Sequence, residues 1–285
     1  VFTIDRCEVC NHKFQNPRLS IEGLEFYYKD FYDGLGEKKL EGIFGHRSGP
    51  YLARARMLVG MANPSRWLDV GGGHGHFCSL ARDVWPEVPF DALDLSSSVM
   101  EAQKKGWADR AYRGLFPDLA DSIANDYDVI SMSHYLEHTR DPAAEIEAAA
   151  KVLPMGGHLL IELPDPDSRF GKIFGSFWIP WFQPQHQHFL SAKNLERLLK
   201  ANAFEPVKWH RGEAHQPIDI LFSVGLFVNR IARPMDMPWL APTTRLGRIW
   251  HRSVFLLSIP LLIVSRLLDL GLAPLFRRPG WSNCY

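Results

Sequence analysis

The chain has 285 residues, 46% hydrophobic and 22% charged, with Lys plus Arg equal to Asp plus Glu at 32 each. That composition excludes an intrinsically disordered chain, and the balanced charge gives no reason to expect a nucleic-acid partner. The charge is unevenly placed, however: residues 226–285 hold eight arginines against Asp236 and Asp269, a net +6 that leaves −6 for the rest. A basic, apolar tail behind an acidic body predicts a membrane surface as the tail's neighbour. Cys7, Cys10, Cys78 and Cys284 are too few and too scattered for a disulfide scaffold, so a reducing, cytoplasmic setting is expected, peripheral on the inner face of a membrane. Val1-Phe2-Thr3-Ile4-Asp5 has neither the basic region nor the apolar core of a secretory leader.

In chain order, residues 1–48 read as an N-terminal cap. Cys7-Glu8-Val9-Cys10 forms a knuckle with the spacing of half a zinc ribbon, and His12 is the one nearby donor that could help complete it. The aromatic cluster Phe26, Tyr27, Tyr28, Phe31 and Tyr32, followed by Gly34, Gly36, Gly42 and Gly45, predicts a short helix and then a mobile loop. Leu52, Ala55, Met57, Leu58 and Met61 lie at helical spacing until Asn63-Pro64 ends the run. From there strands and helices alternate. Residues 66–70, 90–93, 110–113, 128–133, 158–163 and 204–209 read as strands; 77–84, 99–105, 142–152 and 191–202 read as helices. This rhythm predicts an α/β core over 49–212 with a doubly wound, Rossmann-like, mainly parallel sheet.

Between the first core strand and its helix lies Asp69-Val70-Gly71-Gly72-Gly73-His74-Gly75, and Asp94 closes the next strand. Glycines there let backbone approach a ligand, and an acid at that distance can accept both hydroxyls of a ribose. An adenosine compound is therefore expected. In a dinucleotide site the loop receives a pyrophosphate at the helix N-terminus, which Asp69 would repel. The same carboxylate suits the ammonium of a methionine moiety, so S-adenosyl-L-methionine (SAM) is preferred as cofactor over NAD.

Further residues carry a resemblance. Asp69-x-Gly71-x-Gly73-x-Gly75 resembles motif I of class I SAM-dependent methyltransferases, and Asp94-Leu95-Ser96 resembles their ribose-binding motif. Tyr127-Asp128-Val129-Ile130, Tyr135-Leu136-Glu137-His138 and Asp141-Pro142 resemble the strand-four segment of the subgroup near the ubiquinone-biosynthesis O-methyltransferases and related sugar and lipid methyltransferases. The turn Leu153-Pro154-Met155-Gly156-Gly157 and the run His188-Phe189-Leu190-Ser191 fit the same pattern, which covers residues 50–211. The resemblance implies a seven-stranded sheet, with residues 282–285 starting the last strand. It implies that Asp69, Gly71, Gly73 and Gly75 lie against the methionine part of SAM and that Asp94 and Leu95 serve the ribose. Leu115 and Phe116 would flank the adenine, at a place where relatives often carry an acid, and Ser133 would complete the cofactor set.

Methyl transfer is an in-line displacement at a sulfonium carbon, and a hydroxyl acceptor must lose its proton. Histidine is the natural base, so His138, His134 and His186 are the candidate catalytic residues. His134-Tyr-Leu-Glu137-His138 also fits a zinc-protease pattern, but a strand end in a SAM-type domain is the wrong context for it. Similar ubiquinone-pathway enzymes place a Glu where His134 stands and hold a metal with the Glu-His pair; no metal is expected here. Glu137 and His138 could instead orient the following helix. Trp178, Trp181 and Phe182 precede His186-Gln187-His188 and are expected to pack, near the acceptor pocket.

Residues 213–281 read as an apolar, Arg-rich helical insertion, a lid or membrane-interfacial hairpin. Residues 254–265 are too short to span a bilayer, and extension to 276 would bury Arg266 and Asp269 at about 2.5–3.5 kcal/mol each. Pro260 and Pro274 are expected to break the run. The combined reading is a SAM-dependent methyltransferase, O-directed, acting on a hydrophobic, lipid-linked or glycosyl acceptor by in-line transfer with His-assisted deprotonation. The alternatives are an NAD(P)-dependent oxidoreductase and a non-catalytic SAM-binding membrane adaptor.

Overall fold

A computed structural model of the chain describes residues 3–20, 22–23, 48–211, 218–233, 243–278, 280–282 and 284–285. The short helix and mobile loop expected around 26–45 lie outside the described residues. Two compact units emerge: Val1–Pro166 with Gln183–His210 and Cys284–Tyr285, and Asp167–Phe182 with Arg211–Asn283.

The first unit is built on a parallel sheet. Its strands are β3 (Trp67–Val70), β4 (Phe90–Asp94), β5 (Ala111–Arg113), β6 (Val129–Ser133) and β7 (His158–Glu162), in the order β5-β4-β3-β6-β7. Side chains alternate across each strand. Trp67, Phe90, Ala92 and Val129 enter one core cluster, with Phe77 of α2 (His76–Ala81) and Val99 of α3 (Ser98–Lys104). Leu68, Val70, Leu93, Ile130 and Met132 enter another, with Ile146 of α5 (Pro142–Val152) and Leu195 of α7 (Ala192–Ala201). Covering both faces is why these strands read as near-continuous apolar runs. The chain winds outward through β4 and β5, then returns to the other side of β3 through β6. The carboxyl ends of β3 and β6 thus flank the point where the winding reverses, where such sheets bind ligands.

Buried Asp91 breaks the apolar pattern of β4. It accepts hydrogen bonds from Arg66 Nη1 at 2.9 Å, the Arg110 backbone N–H at 3.0 Å and the Tyr127 hydroxyl at 2.8 Å. One carboxylate therefore pins three segments that precede and follow the sheet's strands.

Among the described residues the parallel sheet has five strands, not the seven expected. Residues 204–209 form no strand, because Pro206 offers no ladder donor and Val207 is exposed. Cys284 makes a single antiparallel bridge to Pro164, and Tyr285 exchanges two 3.0 Å backbone hydrogen bonds with Leu163. The N-terminal segment belongs to the same unit: β1 (Thr3–Arg6) and β2 (Lys13–Asn16) pair antiparallel, and β2 pairs with β8 (His188–Phe189). Cys7 and Cys10 occupy the turn between β1 and β2.

The second unit contains α6 (Arg169–Phe174), α8 (Asp219–Ala232) and α9 (Arg245–Phe276), packed around Phe170, Trp178 and Phe276. Trp178 and Trp181 meet edge to face at 4.8 Å, which makes them packing residues of this unit. The expected breaks at Pro260 and Pro274 do not occur. One 32-residue helix runs through both, capped by the Thr244 hydroxyl, which accepts the Gly247 N–H. A proline removes one hydrogen bond, and the long ladder on either side sustains the helix. Asp269 of α9 is fully buried and accepts the N–H groups of Ile220 and Leu221 at 2.9 Å, satisfying the start of α8.

Replacing Asp91 with alanine removes the acceptor of a half-buried guanidinium, a buried hydroxyl and a backbone N–H at once. Urea titration should show a loss of about 3–5 kcal/mol; a loss under about 1 kcal/mol would mean that these partners find water instead.

Candidate active site

The glycine loop runs from β3 to α2 at the carboxyl edge of the sheet. Gly71, Gly73 and Gly75 all have positive φ, at 78°, 52° and 78°. A Cβ at Gly71 would lie 2.6 Å from the Tyr135 ring, and one at Gly75 would lie 2.5 Å from Ala102. Space as well as conformation therefore demands glycine at both positions. The loop is held by its own backbone, since Gly71 and Gly72 N–H donate to the Leu93 carbonyl. Asp94 adds a second tie: its Oδ2 accepts the Gly73 N–H at 2.9 Å and its Oδ1 accepts the Ser96 N–H at 2.7 Å. Burial raises the Asp94 pKa, and these donors counter the shift. Each carboxylate oxygen keeps lone-pair capacity for a ribose hydroxyl.

Asp69 lies beneath the loop. It is 5% exposed, and its Oδ1 accepts the Ser131 hydroxyl at 2.6 Å, while Ser131 accepts Trp67 Nε1–H at 2.9 Å. Desolvation pushes its pKa up to about 7, against the Ser131 hydrogen bond. Leu95 is half exposed beside Asp94, and its carbonyl accepts Arg113 Nε–H. Leu115 is exposed, whereas its neighbour Phe116 is fully buried in the core at the start of α4 (Phe116–Leu119). Ser133 closes β6, level with Glu162 of β7.

Past β6 the chain turns sharply. His134 has φ 51°, a left-handed conformation rare for a non-glycine residue, and it leads into a short 3-10 turn over Leu136–His138. His134 is clamped between two carboxylates, with Nδ1 3.1 Å from Glu137 Oε1 and Nε2 2.9 Å from Glu162 Oε1. Glu162 is itself held in two-point fashion by Arg54 of α1 (Ser48–Arg56), at 2.7 and 2.8 Å. Desolvation works against a charged His134, but hydrogen bonds to Cys284, Glu137 and Glu162 outweigh it and raise the pKa well above the usual value. His134 thus joins Arg54, Glu162 and Glu137 in one hydrogen-bonded chain.

His138 has the opposite character. Its Nδ1 lies 3.2 Å from the Gln185 carbonyl, and its ring meets His186 edge to face at 4.5 Å. Desolvation lowers its pKa below the usual value, opposed by Glu137 and reinforced by His134. Glu137, His138 and His186 bring one ligand atom each to within 4.8 Å of one another, and buried Glu137 Oε2 has no hydrogen-bond partner. A carboxylate and two imidazoles form a donor set suited to a divalent transition ion. His134, Glu162 and Cys284 also cluster, but the Arg54 guanidinium on Glu162 already supplies the positive charge there. His188 faces elsewhere, toward His12 at 3.0 Å, and burial pushes its pKa down to about 4.

Three contributors were given no role by the sequence. Glu162 ends an apolar strand, where a carboxylate is a usable signal. Tyr135 stands over Gly71 and donates to Glu145 at 2.9 Å. Arg54 lies inside an ordinary amphipathic helix and gave no signal.

Two binding measurements follow. A cationic ammonium beside Asp69 would pull its pKa down from about 7, so S-adenosylhomocysteine should bind more weakly as pH falls below about 7, by up to about tenfold per unit. Asp69→Asn should flatten that slope; a slope unchanged by the substitution would assign the titration elsewhere. Asp94→Ala should weaken binding by about 1–3 kcal/mol, and unchanged affinity would separate Asp94 from the ribose.

Residues 44–208 match a family described as methyltransferase domain. The ubiquinone biosynthesis O-methyltransferase of Bordetella avium is 24% identical over 178 residues, 59% of this chain and 73% of its own length. The protein of that name from Alkalilimnicola ehrlichii is 27% identical over 143 residues, 46% of this chain and 57% of its own length. Human N-acetylserotonin methyltransferase, solved in complex with SAM, is 16% identical with a TM-score of 0.50, covering 66% of this chain and 55% of that one, a likeness of fold. The glycine loop, the acid after it and a family match over more than half of the residues agree: the chain belongs to the methyltransferase domain family, as a class I SAM-dependent methyltransferase.

Proposed function

We propose that this methyltransferase transfers the methyl group of SAM to a hydroxyl oxygen of a hydrophobic acceptor, lipid-linked or glycosyl, with His138 as the base. The carrying observation is the contrast between two neighbouring histidines. Hydrogen bonds to Glu137 and Glu162 help raise the His134 pKa well above the usual value, whereas burial lowers that of His138. Only a neutral imidazole can accept a proton. A hydrogen bond from Nδ1–H of His138 to the Gln185 carbonyl leaves the ring's lone pair on Nε2. The acceptor's proton moves to Nε2 as the O–CH3 bond forms and the S–CH3 bond breaks, releasing S-adenosylhomocysteine. Oxygen as the methylated atom is supported by the relatives' names. The apolar surface of the second unit supports a hydrophobic acceptor.

His138→Gln should lower kcat by about 10²–10⁴ while S-adenosylhomocysteine binding stays unchanged. The base must be deprotonated to work, so kcat at saturating SAM is lost as pH falls through the His138 pKa, and that acidic limb should sit below the ordinary histidine value of about 6.5. Full activity in His138→Gln, or a limb above that value, would remove His138 from the role.

The unpartnered Glu137 Oε2 favours one second reading. Glu137, His138 and His186 would hold a divalent cation that lowers the acceptor hydroxyl's pKa. A chelator discriminates: dialysis against EDTA leaves turnover intact if His138 is the base and abolishes it, with recovery on adding metal, if the ion is required.

A further inference from the structure

We propose that α8 and α9 form a hairpin that lies in the plane of an anionic lipid bilayer, sunk into one leaflet, with the arginines of α9 on the phosphates. The two helices run antiparallel, tied by Trp250 Nε1–H to the Ile231 carbonyl at 3.0 Å and by Asp269 on the start of α8. Packing consumes a narrow side of α9, where Ser265, Asp269 and Phe276 are buried. Much of the rest is apolar and exposed: Leu257 is 82% exposed, Leu256 67% and Leu267 61%, and α8 adds Phe222, Leu226 and Phe227. A contiguous apolar surface of this extent marks a partner or a membrane.

The placement of charge selects the membrane. At about 100° per residue, Arg245, Arg248, Arg252, Arg266 and Arg277 fall within about 60° of one another around the helix. Trp250, Leu257, Leu261 and Leu268 lie roughly opposite them. A basic stripe over an apolar face is the form of a helix resting in the headgroup region. The only acid on α9 is Asp269, buried beneath α8. Between Arg252 and Arg266 the stripe is interrupted by Ile259 and Ile263, so the middle sinks deeper than the ends.

By length and composition α9 is also able to cross a bilayer. Crossing would carry Arg266 and Asp269 into hydrocarbon and require translocating the arginines at the turn end of the hairpin, Arg230, Arg233, Arg245 and Arg248. Lying flat avoids both.

Flotation of the full chain with vesicles provides the test. The chain should float with phosphatidylcholine vesicles containing phosphatidylglycerol, float far less with phosphatidylcholine alone, and dissociate as salt is raised. R245Q/R248Q/R252Q should cut partition about a hundredfold, and L257D/L261D should abolish it, both with S-adenosylhomocysteine binding retained. An alkaline carbonate wash should release the chain. Equal flotation with both lipids, resistance to carbonate, or no flotation with a dimer that L257D/L261D dissociates would each overturn the proposal. The lipid and salt comparisons need no variant.

Discussion

The carboxylate of Asp94 is the tie on which the donor site depends. By holding the Gly73 and Ser96 N–H groups it joins the glycine loop after β3 to the turn after β4. The parallel register explains why this is possible. With Asp69 level with Ala92 and Val70 level with Leu93, the end of β4 reaches past the end of β3 and meets the loop from the side. Everything else at that edge is arranged around a loop already held in shape, which is the condition for binding a ligand through backbone contacts.

A second constraint governs the chemistry. Four ionisable groups, Arg54, Glu162, His134 and Glu137, form one largely buried chain across α1, β7 and the turn after β6. Buried charges persist only when paired, and here each has a partner of opposite sign. The chain ties down the turn after β6 and sets the difference between its two histidines, with the pKa raised at 134 and lowered at 138. It is a device for separating two pKa values a few residues apart.

Much of this was legible in the residues. Asp69, the three glycines and Asp94 fall where the strand pattern put them, because the loop's chemistry is local and its residue types are demanded by φ and by space. Alternation of strands and helices gave the sheet, since each apolar run had to be covered on both faces. The distinction between His134 and His138 was not legible. It rests on Arg54, which lies on the helix before β3, and on Cys284, far along the chain. Nor was the continuity of α9, because the local rule for proline predicts a break that a long ladder overrides. Residues 204–209 look like a strand by hydropathy, but Pro206 withholds the donor that pairing requires.

The claim that links fold to chemistry is that the loop between Asp69 and Gly75 receives a methionine-bearing adenosine compound rather than a dinucleotide. Calorimetric titration of the same protein with S-adenosylhomocysteine and with NADH tests this most directly. The account predicts saturable one-to-one binding of S-adenosylhomocysteine and no heat from NADH. Binding of NADH with none of S-adenosylhomocysteine would contradict it.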